Sequence, residues 1–208
     1  MTAMRVLVAC ECSGKVKTAF RKLGHDAWSC DIKPSEIPDD KFHIQGDAIP
    51  VLIQGWDMMI AHPPCTYLSY VGNRHWNKPG RAELRAEAMS LFMQFVNAPI
   101  ERIAIENPLG YACKSYRKYD QIIQPYYFGD RFLKQTCLWL KNLPKLTWQP
   151  CDDMFGQKTM TDYPEPWGYL KTTGKPIHWT EYKHGSEERS RTWNGIAQAM
   201  AAQWGRPT

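Results

Sequence analysis

Through its first 110 residues the chain alternates short apolar runs with helical patterns, and each run ends in polar or turn-forming residues. Arg5–Ala9 is the first run. After Gly14, Val16, Ala19, Phe20 and Leu23 recur on one helical face, with Gly24 as the expected C-cap. His25–Asp31 predicts a second strand, Phe42–Gly46 a weaker third, and Asp57–Ala61 a fourth that Pro63-Pro64 closes. Arg81–Val96 predicts a helix with Leu84, Ala88, Leu91, Phe92 and Phe95 on one stripe, and Arg102–Ile105 a fifth strand stopped by Asn107-Pro108. Strand–helix alternation with such short strands predicts an α/β fold, a mainly parallel sheet flanked by helices.

Residues 145–191 have no such period. Pro144, Pro150, Pro164, Pro166 and Pro176 punctuate the stretch, and Trp148, Trp167 and Trp179 stand in it. We read residues 1–144 as an α/β core, 145–191 as a small irregular lobe, and 192–208 as a C-terminal helix packed back on the core through Ile196, Met200 and Trp204. Composition excludes disordered and fibrous classes: 43% of residues are hydrophobic and 23% charged. The net charge of +5 is compatible with a polyanionic partner without requiring one. No apolar run approaches the ~18 residues of a membrane span, and Val6–Cys10 is too short for a signal-peptide core. The seven cysteines form no C-x-x-C pair, which argues for a reducing, intracellular setting and against a disulfide scaffold or structural zinc.

In a parallel α/β sheet, ligands bind beyond the carboxyl ends of the strands. Cys10 to Gly14, Asp31, Gly46-Asp47, His62 to Cys65 and Glu106 to Pro108 therefore converge on one cleft. The helix after Gly14 has an N-terminus able to take a carboxylate or phosphate, Asp31 suits ribose hydroxyls, and Asp47 could accept from an adenine amine. Together they suggest a nucleoside-containing cofactor. The loop is too poor in glycine for a dinucleotide pyrophosphate, which favours S-adenosylmethionine over NAD.

Two prolines direct the thiol of Cys65 into the cleft. The loop after it, Thr66–Arg81, mixes Arg74, His75, Lys78 and Arg81 with Tyr67, Tyr70 and Trp76, a mixture that holds nucleic-acid backbone and bases. Glu106 is the matching carboxyl, able to bind a base edge and, with a pKa raised by burial, to donate a proton. A zinc deaminase, suggested by His62 near Cys65, lacks the second cysteine pair.

With Pro-Pro-Cys65 and Glu106-Asn107-Pro108 in that order, about 40 residues apart and each after an apolar strand, the chain resembles the C5-cytosine DNA methyltransferase family, especially its short phage-type members. The resemblance covers Arg5–Asp31, Ile44–Asp47, Asp57–Ser69, Ile103–Pro108, Gln124–Pro144 and Arg189–Gly205. Amino-directed methyltransferases carry an aromatic residue where this chain has Cys65. The larger C5 enzymes have a Phe-x-Gly-x-Gly loop where this chain reads Ala9-Cys10-Glu11-Cys12-Ser13-Gly14, and Gly-Asn where it has Asn194-Gly195.

The resemblance implies a Rossmann-like, S-adenosylmethionine-dependent methyltransferase fold with residues 145–191 as target-recognition lobe. It implies a DNA (cytosine-5)-methyltransferase that flips its base out of double-stranded DNA and attacks it through Cys65. Glu106 would hold and protonate the ring, and Lys134, or Arg131 as second choice, would contact the cytosine carbonyl. The cofactor would lie against Glu11, Cys12, Ser13, Gly14, Asp31, Ile32, Asp47, His62, Pro63, Thr192 and Gly195, and DNA against Ser69, Arg74, His75, Trp76, Lys78 and Arg81. No metal is implied, a monomer suffices, and the setting would be the cytoplasm of a bacterial or phage-infected cell. The alternatives keep the same chemistry on a free cytidine nucleotide or with a modified cofactor, or keep the fold as a non-catalytic nucleic-acid-binding protein.

Overall fold

The computed structural model describes residues 2–70, 72, 77–130, 133–148 and 192–206, with short pieces at 152–153, 156–157, 168–169, 171–174 and 176–177. Arg74, His75, Trp76 and Arg131 lie outside the described residues, as does most of the 145–191 stretch. Strands β1 (Arg5–Ala9), β2 (Asp26–Asp31), β3 (His43–Gln45), β4 (Met58–Ala61), β5 (Arg102–Asn107), β6 (Gln121–Ile123) and β7 (Thr136–Lys141) form one sheet in the order β3-β2-β1-β4-β5-β7-β6. The pairs from β3 through β5 are parallel, whereas β7 is antiparallel to both β5 and β6. Helices α1 (Lys15–Lys22), α2 (Arg81–Val96), α3 (Ala112–Ser115) and α4 (Asn194–Trp204) complete the α/β fold, whose sheet is mixed at one edge.

Strand alternation sorts the core into two layers, because successive side chains point to opposite faces. Leu7, Ala9, Met59, Ala61, Ile103, Ile105 and Trp139 pack with Phe92 and Phe95 of α2 on one face. Val6, Val8, Met58, Ile60, Ala104 and Leu138 pack with Val16 and Phe20 of α1 and with Ile196, Met200 and Trp204 of α4 on the other. Each of the larger aliphatic, Met and Phe side chains among them contributes roughly 1.5–3 kcal/mol by leaving water.

Three details depart from the sequence pattern. On α2 only Phe92 and Phe95 are fully buried, and Leu84 is 38% exposed. The helix's first turns serve the loop after Cys65 instead: Arg85 Nε donates to the Tyr67 carbonyl at 3.0 Å. Leu23 is exposed because α1 ends at Lys22, and Gly24 then takes the left-handed turn at φ 86°. Strand β5 runs two residues past Ile105, so Glu106 and Asn107 belong to the strand and inherit its rigidity.

Candidate active site at the ends of β4 and β5

Parallel pairing of Ala61 with Ile105 brings the next residues, His62 and Glu106, side by side. His62 Nδ1 lies 3.1 Å from Glu106 Oε2, and both side chains are largely buried. One residue on, Asn107 Nδ2 donates to the Pro63 carbonyl at 2.8 Å, tying the double-proline turn to β5. The Cys65 carbonyl accepts from Leu68 N at 3.1 Å and Ser69 N at 2.9 Å. The chain then pairs with the turn after β5, through a Ser69–Gly110 bridge and a Tyr111 N to Leu68 carbonyl bond of 2.6 Å. Gly110 is required there, since a Cβ would strike the Leu68 carbonyl. Two segments about 40 residues apart are thus stitched into one unit carrying Cys65, half-buried, and Glu106.

Glu106 is held below the usual carboxylate range. Burial pushes it up, but the hydrogen bond to His62, the charge of Lys134 and a hydrogen bond from the Thr136 hydroxyl outweigh burial. This corrects the expectation that burial would leave Glu106 protonated: as it stands, it is an anion. Lys134 and Thr136 line a cavity with it, together with Thr192 and Trp193 from the start of α4. The antiparallel turn-back of β7 delivers Lys134 and Thr136, and neither β7 nor Thr136 was legible in the sequence pattern.

The loop after β1 is built differently from expectation. Glu11 is buried, and its Oε1 accepts from Val16 N at 2.8 Å while Oε2 accepts from Lys17 N at 3.3 Å. Two amides at the N-terminus of α1 are therefore bonded to the chain's own carboxylate. Burial raises the pKa of Glu11, partly opposed by His62 and by the two amides. Gly14 caps α1 at φ 65°, and Ile37 from the β2–β3 connection lies over it, 2.6 Å from where a Cβ would stand. Cys12 and Glu36 link the same two loops: Glu36 N donates to the Cys12 carbonyl at 2.9 Å. Lys17 and Asp40, both buried, pair beneath them.

Asp31 Oδ1 accepts from Lys33 N at 2.9 Å and Asp47 Oδ1 from Ile49 N at 3.0 Å, so each acid shapes its own turn. Ile32, beside Asp31, is 76% exposed. Gly195 packs on the Phe128 carbonyl and donates its amide to Asp130 Oδ2 at 2.9 Å, which seats α4 on the β6–β7 connection.

Of the described residues read as DNA contacts, Lys78 is exposed. Ser69 and Arg81 work inward. Ser69 Oγ accepts from Gly72 N at 3.3 Å, and Arg81 donates to the Thr66 and Gly72 carbonyls at 2.9 and 3.1 Å and lies over the Tyr67 ring. Among the described residues no cluster of His, Cys, Asp and Glu could hold a metal ion, and no helix is long and apolar enough to cross a membrane.

The sequence matches no protein-family model and no curated protein. Three solved structures share features of the fold. A DNA modification methyltransferase encoded within a prophage of E. coli is 15% identical, with a TM-score of 0.44 over 66% of this chain and 46% of that one. The S. pombe Dnmt2 methyltransferase is 18% identical, with a TM-score of 0.46 over 70% and 53%. The Entamoeba histolytica methyltransferase EhMeth is 13% identical, with a TM-score of 0.45 over 72% and 56%. The chain spans about half the length of these structures.

Proposed function

We propose that the chain is a DNA (cytosine-5)-methyltransferase using S-adenosylmethionine. The observation that carries the reading is the stitching of Pro63-Pro64-Cys65 to Glu106-Asn107, which holds a thiol and a carboxyl at one sheet end. A cytosine ring offers carbon 6 to a sulfur nucleophile and nitrogen 3 to an acid, and it must leave the duplex to reach both.

In this reading the Cys65 thiolate adds to carbon 6. Glu106 binds nitrogen 3 and the amino group, and a proton delivered there draws the ring electrons toward carbon 5. Lys134, already beside Glu106, faces the ring carbonyl. Once carbon 5 carries the new methyl group, its hydrogen leaves as a proton, the carbon–sulfur bond breaks to return the thiolate, and the aromatic ring is restored.

Two observations fit the cofactor. Two of the α1 amides are occupied by Glu11, which disfavours a pyrophosphate there and suits a donor without one. Ile32 leaves an apolar side chain open beside Asp31, suited to an adenine face. Glu11, Ser13, Gly14, Asp31, Ile32, Asp47 and Thr192 would hold S-adenosylmethionine, which when bound supplies an electrophilic methyl group. Double-stranded DNA is the proposed partner, through Lys78 and the 66–81 loop.

The test is incubation of the chain and DNA with labelled S-adenosylmethionine, followed by identification of the labelled base. Label on carbon 5 of cytosine is expected. Label on an exocyclic amine, or transfer to free cytidine nucleotides alone, contradicts the proposal.

A further inference from the structure

The reaction above asks Glu106 for a proton that, as it stands, it does not carry. His62 is the described residue placed to supply it. Its side chain is 6% exposed, and its Nδ1 lies 3.1 Å from Glu106 Oε2. A carboxylate can only accept, so Nδ1 donates and the proton lies on the Glu106 side of the ring. The other ring nitrogen, Nε2, is buried without a hydrogen-bond partner among the described residues. Among the described residues the ring's one side-chain hydrogen bond is the one to Glu106.

The charged groups facing this pair come from three elements. Glu11, in the loop after β1, faces His62; Lys17 of α1 faces Glu11; Lys134, ahead of β7, faces Glu106. His62 therefore stands between two buried carboxyl groups. Lys134 is a cation near Glu106, but among the described residues His62 is the titratable group that hydrogen-bonds it.

We infer that His62 is a positioning residue that loads Glu106 with the proton for the base, which rests on the cytosine reading above. The steps balance. With hydrogen on both ring nitrogens of His62, the Nδ1–H bond breaks as an O–H bond forms on Glu106, leaving a neutral ring that keeps its Nε2 hydrogen, and that O–H breaks as nitrogen 3 gains the proton. The electron pair pushed into the ring by sulfur addition is thereby neutralised. When the carbon–sulfur bond breaks at the end of the cycle, the proton on nitrogen 3 returns through Glu106 to His62. The relay consumes no proton, and the hydrogen lost from carbon 5 leaves to solvent.

The experiment is single-turnover methyl transfer for the full chain, its His62→Asn variant and its His62→Gln variant, with affinity for S-adenosylhomocysteine measured on each. An asparagine amide keeps a donor where Nδ1 stands but has no proton to release. The expected result is a loss of about 10²-fold or more in rate for both variants, the ordinary weight of a proton-transfer group, with affinity nearly unchanged. A His62→Asn rate equal to wild type overturns the relay and leaves the cytosine reading standing. A wild-type protein that transfers no methyl group overturns the cytosine reading, and the relay with it. Nitrogen-15 spectra of histidine-labelled wild type provide a second test free of turnover. A proton on Nδ1 of His62 is expected, and a ring protonated on Nε2 alone contradicts the relay.

Discussion

Three of the thiols are held far from reactivity. Burial, with Asp31 close by, pushes Cys10 up to about 12; burial likewise takes Cys30 to about 11 and Cys137 to about 12. Near neutral pH fewer than about one in a thousand of these side chains is a thiolate, and only the thiolate reacts. Brief alkylation of the native protein should therefore spare Cys10, Cys30 and Cys137. Peptide mass spectrometry checks this, and early labelling of Cys10 would contradict the packing described. Glu106→Gln keeps a hydrogen-bonding group against the base but has no proton to pass on. Its transfer rate should fall by about 10²–10⁴-fold, while the affinity for S-adenosylhomocysteine holds; an undiminished rate would remove Glu106 from the chemistry.

Helix α1 is anchored by two buried acids that respond to pH in opposite senses. Asp40, paired with Lys17 and hydrogen-bonded to Ser35 and Phe42 N, is held below the usual carboxylate range although burial opposes this. Its contribution to stability is present above the ordinary aspartate range and is lost as pH falls through its lowered value. Asp40→Ala leaves Lys17 buried and unpaired, so it should cost about 3–5 kcal/mol in urea denaturation. Glu11, whose pKa burial raises, contributes stability at low pH that is lost as pH rises through its raised value. Glu11→Gln keeps one acceptor oxygen, for Val16 N, and loses the acceptor for Lys17 N, so it should cost about 1–3 kcal/mol at neutral pH. A larger loss would mean that the charge itself is needed. Neither role was legible in the sequence. Glu11 read as a loop acid near a ligand, because filling the helix amides depends on how the loop folds back. Nothing in the sequence marks Lys17 as buried, because its partner is 23 residues away.

For the molecule as a whole, the sequence pattern disclosed the parallel strands β1 to β5, whose runs are apolar and bounded by Gly, Pro or Asp. It missed β6, which has three residues, and β7, whose Thr-Cys-Leu-Trp-Leu-Lys has no alternation because both its faces are covered. The site was legible at Cys65 and Glu106, whose neighbouring prolines mark them, and not at Thr136 or in the His62–Glu106 contact, which only strand pairing creates. Helix α4 closes the second layer through Trp204, buried to 1% and donating Nε1 to the Pro144 carbonyl at 2.9 Å. Trp204→Ala should cost about 3–5 kcal/mol, read by denaturant titration, and a loss under about 1 kcal/mol would mean that α4 is not part of the core. The most direct test of the central claim uses a duplex in which the target cytosine carries fluorine at carbon 5, so that methyl transfer cannot be followed by loss of that substituent. With S-adenosylmethionine present, wild-type protein should form a denaturation-resistant adduct attached through the peptide containing Cys65, and Cys65→Ala should form none. An adduct that persists in Cys65→Ala, or methylation of ordinary cytosine by that variant at the wild-type rate, would contradict the account.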